Sequence, residues 1–246
     1  LRLKAGQVTA LLGENGAGKS TLLAILAGLL RPTRGDVRVD DQPLADIDAE
    51  AFRRQLGVLS HEPRCYAELS PRENLRLFAR LYELGAAERA DAHLDGWLAR
   101  VGLDRAADRP ARTMSRGMLQ RLAIARTLLH APAFVLLDEP YTGLDQAGVA
   151  LLSQLITAER ARGALILVIT HDLATVAPLC DQVVVLARGR VGACVDVPFG
   201  TGTADTLLGA YRDADRAVLS QRRGRGRAAP SDAAGRAGAD GAGDAP

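Results

Sequence analysis

The stretch GENGAGKS, residues 13–20, constrains the chain more than any other, because few backbone environments want glycines at this spacing. A short apolar run, residues 8–12, precedes it, and the continuously hydrophobic residues 20–30 follow, so the order reads strand, loop, buried helix. Glycines in such a loop let successive N–H groups converge on an anion where the helix N-terminus adds partial positive charge. Lys19 supplies a point charge, and the Ser20 hydroxyl suits a Mg²⁺ ligand. The expected occupant is the β and γ phosphates of a nucleotide.

The rest of the chain is patterned around that unit. RPTRGDVRVDD, residues 31–41, combines turn residues with alternating Val37 and Val39 and reads as a turn and an edge-like strand; residues 56–60 form another short strand. From about residue 63 to 112 the pattern turns helical, and Ser70-Pro71-Arg72-Glu73 carries an N-cap, a first-turn proline and a capping-box glutamate. Buried strands are expected at residues 134–137, 164–170 and 182–186, with helices over 118–129 and 147–160. This alternation predicts an α/β fold with a mostly parallel sheet and an inserted helical subdomain at about 63–127. The main domain is expected over residues 1–219. Beyond it, residues 220–246 are Ala/Gly/Arg-rich with almost nothing to bury, and a solvated, disordered tail is expected there in preference to an Arg cluster for acidic lipid or RNA.

Composition excludes several classes. A formal charge of +2 with dispersed Lys and Arg argues against wrapping nucleic acid. The three cysteines form no CxxC pair, which fits a reducing compartment. No apolar run approaches the ~20 residues that span a bilayer. The opening enters a strand almost at once from Leu1, so a missing N-terminal segment is expected.

Three further stretches carry chemistry. FVLLDEP, residues 134–140, is an apolar strand ending in consecutive carboxylates that point in different directions. Asp138 is placed to hold Mg²⁺ through water and Glu139 to polarise an attacking water; alone, the stretch reads equally as an acidic turn, and the phosphate loop favours the chemistry. ITHD puts His171 just past another apolar strand, where strand C-termini of an open parallel sheet face the ligand crevice. It is either a surface or capping residue or a sensor of the γ-phosphate. MSRGMLQR, residues 114–121, is a second glycine-bearing turn before a helix, in which Ser115 reads on its own as an N-cap.

The ordered set GENGAGKST, MSRGMLQR, LLDEP, TGLD and THD resembles the ATP-binding subunits of ABC transporters, over residues 1 to about 193. The resemblance implies a P-loop NTPase core that hydrolyses ATP with Mg²⁺. Gly13, Glu14, Asn15, Gly16, Ala17, Gly18, Lys19, Ser20 and Thr21 would be the Walker A loop, with Ser20 and Asp138 toward Mg²⁺. Glu139 would be the catalytic base, His171 the switch histidine and Asp145 the D-loop aspartate. Ser115 and Gly117 would belong to a signature turn that closes on the ATP of a second copy. A homodimer formed on ATP binding, a separate transmembrane permease and a peripheral place on the cytoplasmic face of the membrane follow from the same resemblance, with no nucleic acid partner.

Departures are informative. The usual LSGGQ reads MSRGM, with Arg116 and Met118 in place of Gly and Gln. The Q-loop position holds His61, followed by Glu62, and neither is assigned as a Mg²⁺ ligand. The family's adenine-stacking aromatic lies upstream of Leu1, so weak ATP binding is expected of this chain. His61, AELSPRENLRLFARLYEL and DEPYTGLDQAG are similar to the haem-exporter type associated with cytochrome c maturation. Export of a drug or lipid, and a soluble ABC protein acting on ribosomes or DNA, are the alternatives. A P-loop kinase or switch GTPase would share the loop, but the chain has no N-K-x-D and such proteins have no use for the Ser115 turn. Residues from about 63 to 112 are expected to meet the membrane subunit, with Leu75, Leu77, Phe78, Leu81 and Tyr82 mostly in the core of that block.

Overall fold

The computed structural model describes residues 1–213, so the expected tail at 220–246 lies outside the described residues. Strand β1 (Val8–Leu12) passes through the glycine loop into α1 (Lys19–Leu26). Strands β2 (Arg38–Val39) and β3 (Gln42–Pro43) form a small antiparallel pair, followed by α2 (Ala49–Arg54) and β4 (Leu56–Leu59). Helices α3 (Pro71–Leu81), α4 (Ala86–Arg89), α5 (Asp91–Arg100) and α6 (Arg116–Leu128) come next. The chain then alternates through β5 (Phe134–Asp138), α7 (Gln146–Ala161), β6 (Leu165–Ile169), α8 (Leu173–Val176), β7 (Gln182–Ala187) and β8 (Arg190–Asp196).

The main sheet has the order β4-β5-β6-β1-β7-β8. Its first five strands are parallel and β8 is an antiparallel edge. Parallel strands covered on both faces must be apolar on both, and the two faces feed two cores. Ala10, Val135, Leu137, Ile166 and Val168 share one core with Ile124 and Leu128 of α6 and Leu152 and Ile156 of α7. Leu11, Leu136, Leu167 and Ile169 share the other with Leu23 of α1 and Phe52 of α2.

The register positions the site. Asp138 lies opposite Ile169, Ile169 opposite Leu11, and Leu59 opposite Leu137. The segments that begin just past these residues, with His61, Glu139, His171 and the glycine loop, therefore leave the sheet along one edge.

Two local expectations are corrected. Helix α1 ends at Leu26 rather than at residue 30, because Gly28 turns the chain at φ +69°, its N–H bonding the Ile25 carbonyl and the Leu29 N–H bonding that of Ala24. Apolarity alone ran the helix on; Leu29 and Leu30 are exposed. Strand β8 was absent from the sequence reading, since an edge strand with mostly exposed residues shows little hydrophobic alternation.

The start of α3 follows the sequence closely. Ser70 Oγ accepts from the Glu73 N–H and Glu73 Oε2 accepts from the Ser70 N–H, with Pro71 in the first turn. Leu75 is fully buried, Leu77, Phe78 and Tyr82 are half-buried, and Leu81 is exposed. Buried Asn74 ties this helix to the loop that follows β4. Its Nδ2 donates to the carbonyls of Tyr66, Leu69 and Ser70, and its Oδ1 accepts from the Tyr66 N–H at 2.9 Å. Among the described residues no helix is long and apolar enough to cross a membrane.

Truncating Asn74 strands the Tyr66 N–H and several carbonyls without replacing their partners. Asn74→Ala should cost about 2 to 3 kcal/mol of stability, read from the midpoint of urea unfolding followed by circular dichroism; an unchanged midpoint contradicts the assignment.

Candidate functional site

Backbone geometry makes the glycine loop a cradle. Gly13 sits at φ +157°, and a Cβ there would lie 2.3 Å from the Leu186 carbonyl oxygen, so no side chain fits. Gly18 caps α1 at φ +100°, the left-handed region that lets the loop turn its N–H groups inward before the helix begins. The Lys19 ammonium donates to the carbonyls of Gly13 at 2.8 Å and Glu14 at 3.0 Å, and the Gly189 N–H braces the Ala17 carbonyl from the β7–β8 turn. Glu14, Asn15, Gly16, Ser20 and Thr21 are exposed along the rim, whereas Ala17 is buried beneath it. All nine residues expected in the loop lie in this one turn and helix start.

The end of β5 sits beside this loop. Asp138 is half-buried; burial first, then the neighbouring Glu139 charge, push its carboxyl above the ordinary 3.8. The charges of His61 and Lys19 and a hydrogen bond from Ser20 oppose that rise. Four candidate residues thus act on one carboxylate. Glu139 adopts a left-handed backbone at φ +49°, an uncommon place for a side chain of this size. Its N–H donates to the Ile169 carbonyl at 2.8 Å, and its Oε2 lies 2.9 Å from His171 Nδ1. The His171 side chain is 85% exposed and that of Glu139 is 18% exposed, so the imidazole covers the carboxylate from the solvent side. Asp172 shapes the segment bearing His171 by capping α8, accepting from the Thr175 N–H at 3.1 Å.

A second cluster forms around α6. Ser115 caps this helix, its Oγ accepting from the Met118 N–H at 3.3 Å. A Cβ on Gly117 would lie 2.7 Å from the Gly143 carbonyl oxygen, so the turn before α7 presses directly on the first turn of α6. The stem of Arg116 lies across Gly143, with its Cγ 3.2 Å from where a Cβ would stand. Asp145 caps α7, accepting from the Gly148 N–H at 2.8 Å. Ser115, Gly117 and Asp145 are thereby joined into one block, and among the described residues no hydrogen bond or ion pair ties Ser115 or Asp145 to the glycine loop.

His61 and Glu62 are exposed on the loop after β4, where Ser60 Oγ donates to the Glu62 carbonyl. The loop is anchored farther on by Arg126, whose Nη1 donates to the Arg64 carbonyl at 2.7 Å and whose guanidinium lies 5.0 Å from the Phe78 ring centre.

Two residues were missed by sequence reasoning. Gln120 is buried and donates from Nε2 to the Pro140 carbonyl at 3.0 Å, and Gly143 abuts Gly117. The available signal was Gln120 itself: it lies on the stripe Gln120, Ala123, Ile124, Thr127, which faces inward.

A glycine cradle between a parallel strand and a helix N-terminus, level with two carboxylates at the end of a strand two places away in the same sheet, defines a P-loop nucleotide-binding α/β protein. The chain belongs to the ABC transporter family, whose model matches residues 1–142. It is 40% identical over 207 residues to the molybdenum import ATP-binding protein ModC of Mycobacterium tuberculosis, covering 79% of this chain and 56% of that one. It is 42% identical over 171 residues to the cytochrome c biogenesis ATP-binding export protein CcmA of Methylococcus capsulatus, covering 70% of this chain and 81% of the relative. The dimeric cassette MJ0796, solved in a post-hydrolysis state bound to ADP and Pi, matches with a TM-score of 0.73 and 29% identity, over 80% of this chain and 88% of that one. The chain therefore spans little more than half the length of the ModC relative.

The sign of the Asp138 shift gives a test. A carboxyl with a raised pKa costs the folded state stability once ionised; that penalty is complete above the folded pKa and vanishes below the ordinary value of 3.8. Asp138→Asn should raise the melting temperature of nucleotide-free protein at pH 7, with the gain shrinking as pH falls toward 3.8. Calorimetry across pH checks this; a variant that melts lower at neutral pH contradicts it.

Proposed function

We propose that the chain is the ATP-binding and ATP-hydrolysing subunit of an ABC transporter, working as a dimer that drives a separate membrane-spanning permease from the cytoplasmic face. The observation that carries this reading is Glu139. It is held in a strained backbone conformation between the Ile169 carbonyl and His171, one residue from an Asp138 that meets Ser20 and Lys19.

These residues fit a nucleotide. A loop closed to any Cβ at Gly13 offers backbone N–H donors to phosphate oxygens, and Lys19 can exchange the Gly13 and Glu14 carbonyls for them. The Ser20 hydroxyl, and Asp138 through water, would hold Mg²⁺, which would neutralise charge on those oxygens. Glu139, held against His171, orients the attacking water and takes its proton. His171 fixes the carboxylate through Nδ1 and is exposed enough to reach a phosphate. His61 stands close enough to act on Asp138, which supports a part in sensing the occupied site rather than in holding the cation.

Ser115, Gly117 and Asp145 act in trans on the nucleotide of a second copy. Their grouping into one block apart from the loop supports this, as does the dimeric state of the MJ0796 cassette. The helical block at about residues 63–112, with the loop before it, is the part that meets the permease. For the cargo, the reading favoured is haem-type export for cytochrome c maturation, supported by likeness to CcmA over 81% of that relative, against 56% for the molybdenum importer.

Glu139→Gln should leave ATP affinity within about threefold and lower kcat by at least roughly 10², read by nucleotide titration and phosphate release; normal turnover would remove Glu139 from the role of base. Ser115→Arg should abolish turnover while monomeric ATP binding persists. For the cargo, a strain lacking the gene should lose haem-stained c-type cytochromes. Intact cytochromes with lost molybdoenzyme activity would reassign the cargo and leave the ATPase reading standing.

A further inference from the structure

Gln120 joins the two clusters through a single buried hydrogen bond. The amide lies on α6, one turn after the Ser115 cap, and is 3% exposed. Its Nε2 donates to the carbonyl of Pro140, the residue that follows Glu139, at 3.0 Å. The Glu139 backbone is in the left-handed region and precedes a proline, a combination that local preference opposes, so its conformation must be held from outside. The Thr142 N–H closes the turn locally on the Glu139 carbonyl at 3.2 Å, and two bonds brace it from outside: the Glu139 N–H to the Ile169 carbonyl on one side, and Gln120 to the Pro140 carbonyl on the other. The same end of α6 is wedged against Gly143 through Gly117 and Arg116. Any displacement at the start of α6 is thus transmitted to Pro140 by a short, buried and nearly incompressible path.

We infer that Gln120 is a positioning residue that couples the two nucleotide sites of the dimer: when Ser115 of one chain engages the nucleotide of the other, Gln120 brings that chain's own Glu139 into its working geometry. The inference rests on the reading of the signature turn as a trans contact. Each site would then report its occupancy to the base of the opposite site within a single polypeptide.

The test uses the full chain with two substitutions that nearly keep the buried volume but cannot donate, Gln120→Met and Gln120→Leu. ATP affinity of the monomer should stay within about threefold, because among the described residues no hydrogen bond ties Gln120 to the glycine loop. ATP-driven dimerisation, measured in the Glu139→Gln background by size-exclusion chromatography, should also persist. Turnover should fall in kcat by roughly 10², the loss that small misplacements of a catalytic group produce, with little change in KM. Unchanged kcat in a folded variant overturns the inference, and so does a loss confined to KM. A second measurement needs no change at Gln120. In the unsubstituted chain, hydrogen exchange at residues 116–120 and 139–142 should slow together on dimerisation with a non-hydrolysable ATP analogue, whereas slowing of only the first segment overturns the coupling. Ser115→Arg separates the two claims: if it leaves turnover unchanged, the trans reading itself fails, and if it abolishes turnover while Gln120→Met does not, only the coupling fails.

Discussion

The register of the central parallel strands is the constraint on which the site depends. Leu11, Ile169 and Asp138 stand level on three adjacent strands, so residues up to 158 positions apart in sequence emerge at a single edge without any loop having to reach. A slip of one residue in β5 would turn its apolar set over and exchange the outlooks of Asp138 and Glu139. The apolar faces of Val135, Leu136 and Leu137, packed into two different cores, make that slip costly. Position at the site is therefore fixed by hydrophobic burial well away from any phosphate.

That rigidity supports groups which would not hold their places alone. Asp138 keeps a half-buried carboxylate against the combined cost of desolvation and a like-charged neighbour. Glu139 keeps a left-handed backbone ahead of proline. Both oppose the stability of the nucleotide-free fold, and both are offset by ordinary packing in β5, whose middle residues are buried. A chain optimised only for folding would place neither there, which makes their adjacency a functional signal and not a packing one.

What was legible in the sequence was contiguous. The glycine loop, the capping box at Ser70 and the buried strands each declare themselves within a few residues, because cap geometry and hydrophobic period are local. The end of α1 was misread, since Gly28 stops a helix whose apolar pattern runs on. The contacts that assemble the second cluster were invisible for another reason. Gly117 meets Gly143 across 26 residues and Gln120 meets Pro140 across 20, and neither pairing leaves a periodic trace. His61 is similar: in the sequence it reads as a departure from a pattern, and only the pairing of β4 with β5 brings it near enough for its charge to act on Asp138.

The Ser115 cap leaves room for a chemical role beside its structural one. A hydroxyl has one donor hydrogen and two acceptor lone pairs. Capping α6 uses one lone pair, filled by the Met118 N–H, and leaves the hydrogen free to point outward from an exposed side chain. An anion arriving at the helix start would meet that hydrogen together with N–H groups of the first turn, none of which has an earlier carbonyl in the helix to bond. Capping also turns the hydroxyl hydrogen away from the Met118 N–H, so it has fewer favourable directions before any ligand arrives. Arg116, with its stem laid across Gly143, would add its charge to the same attraction.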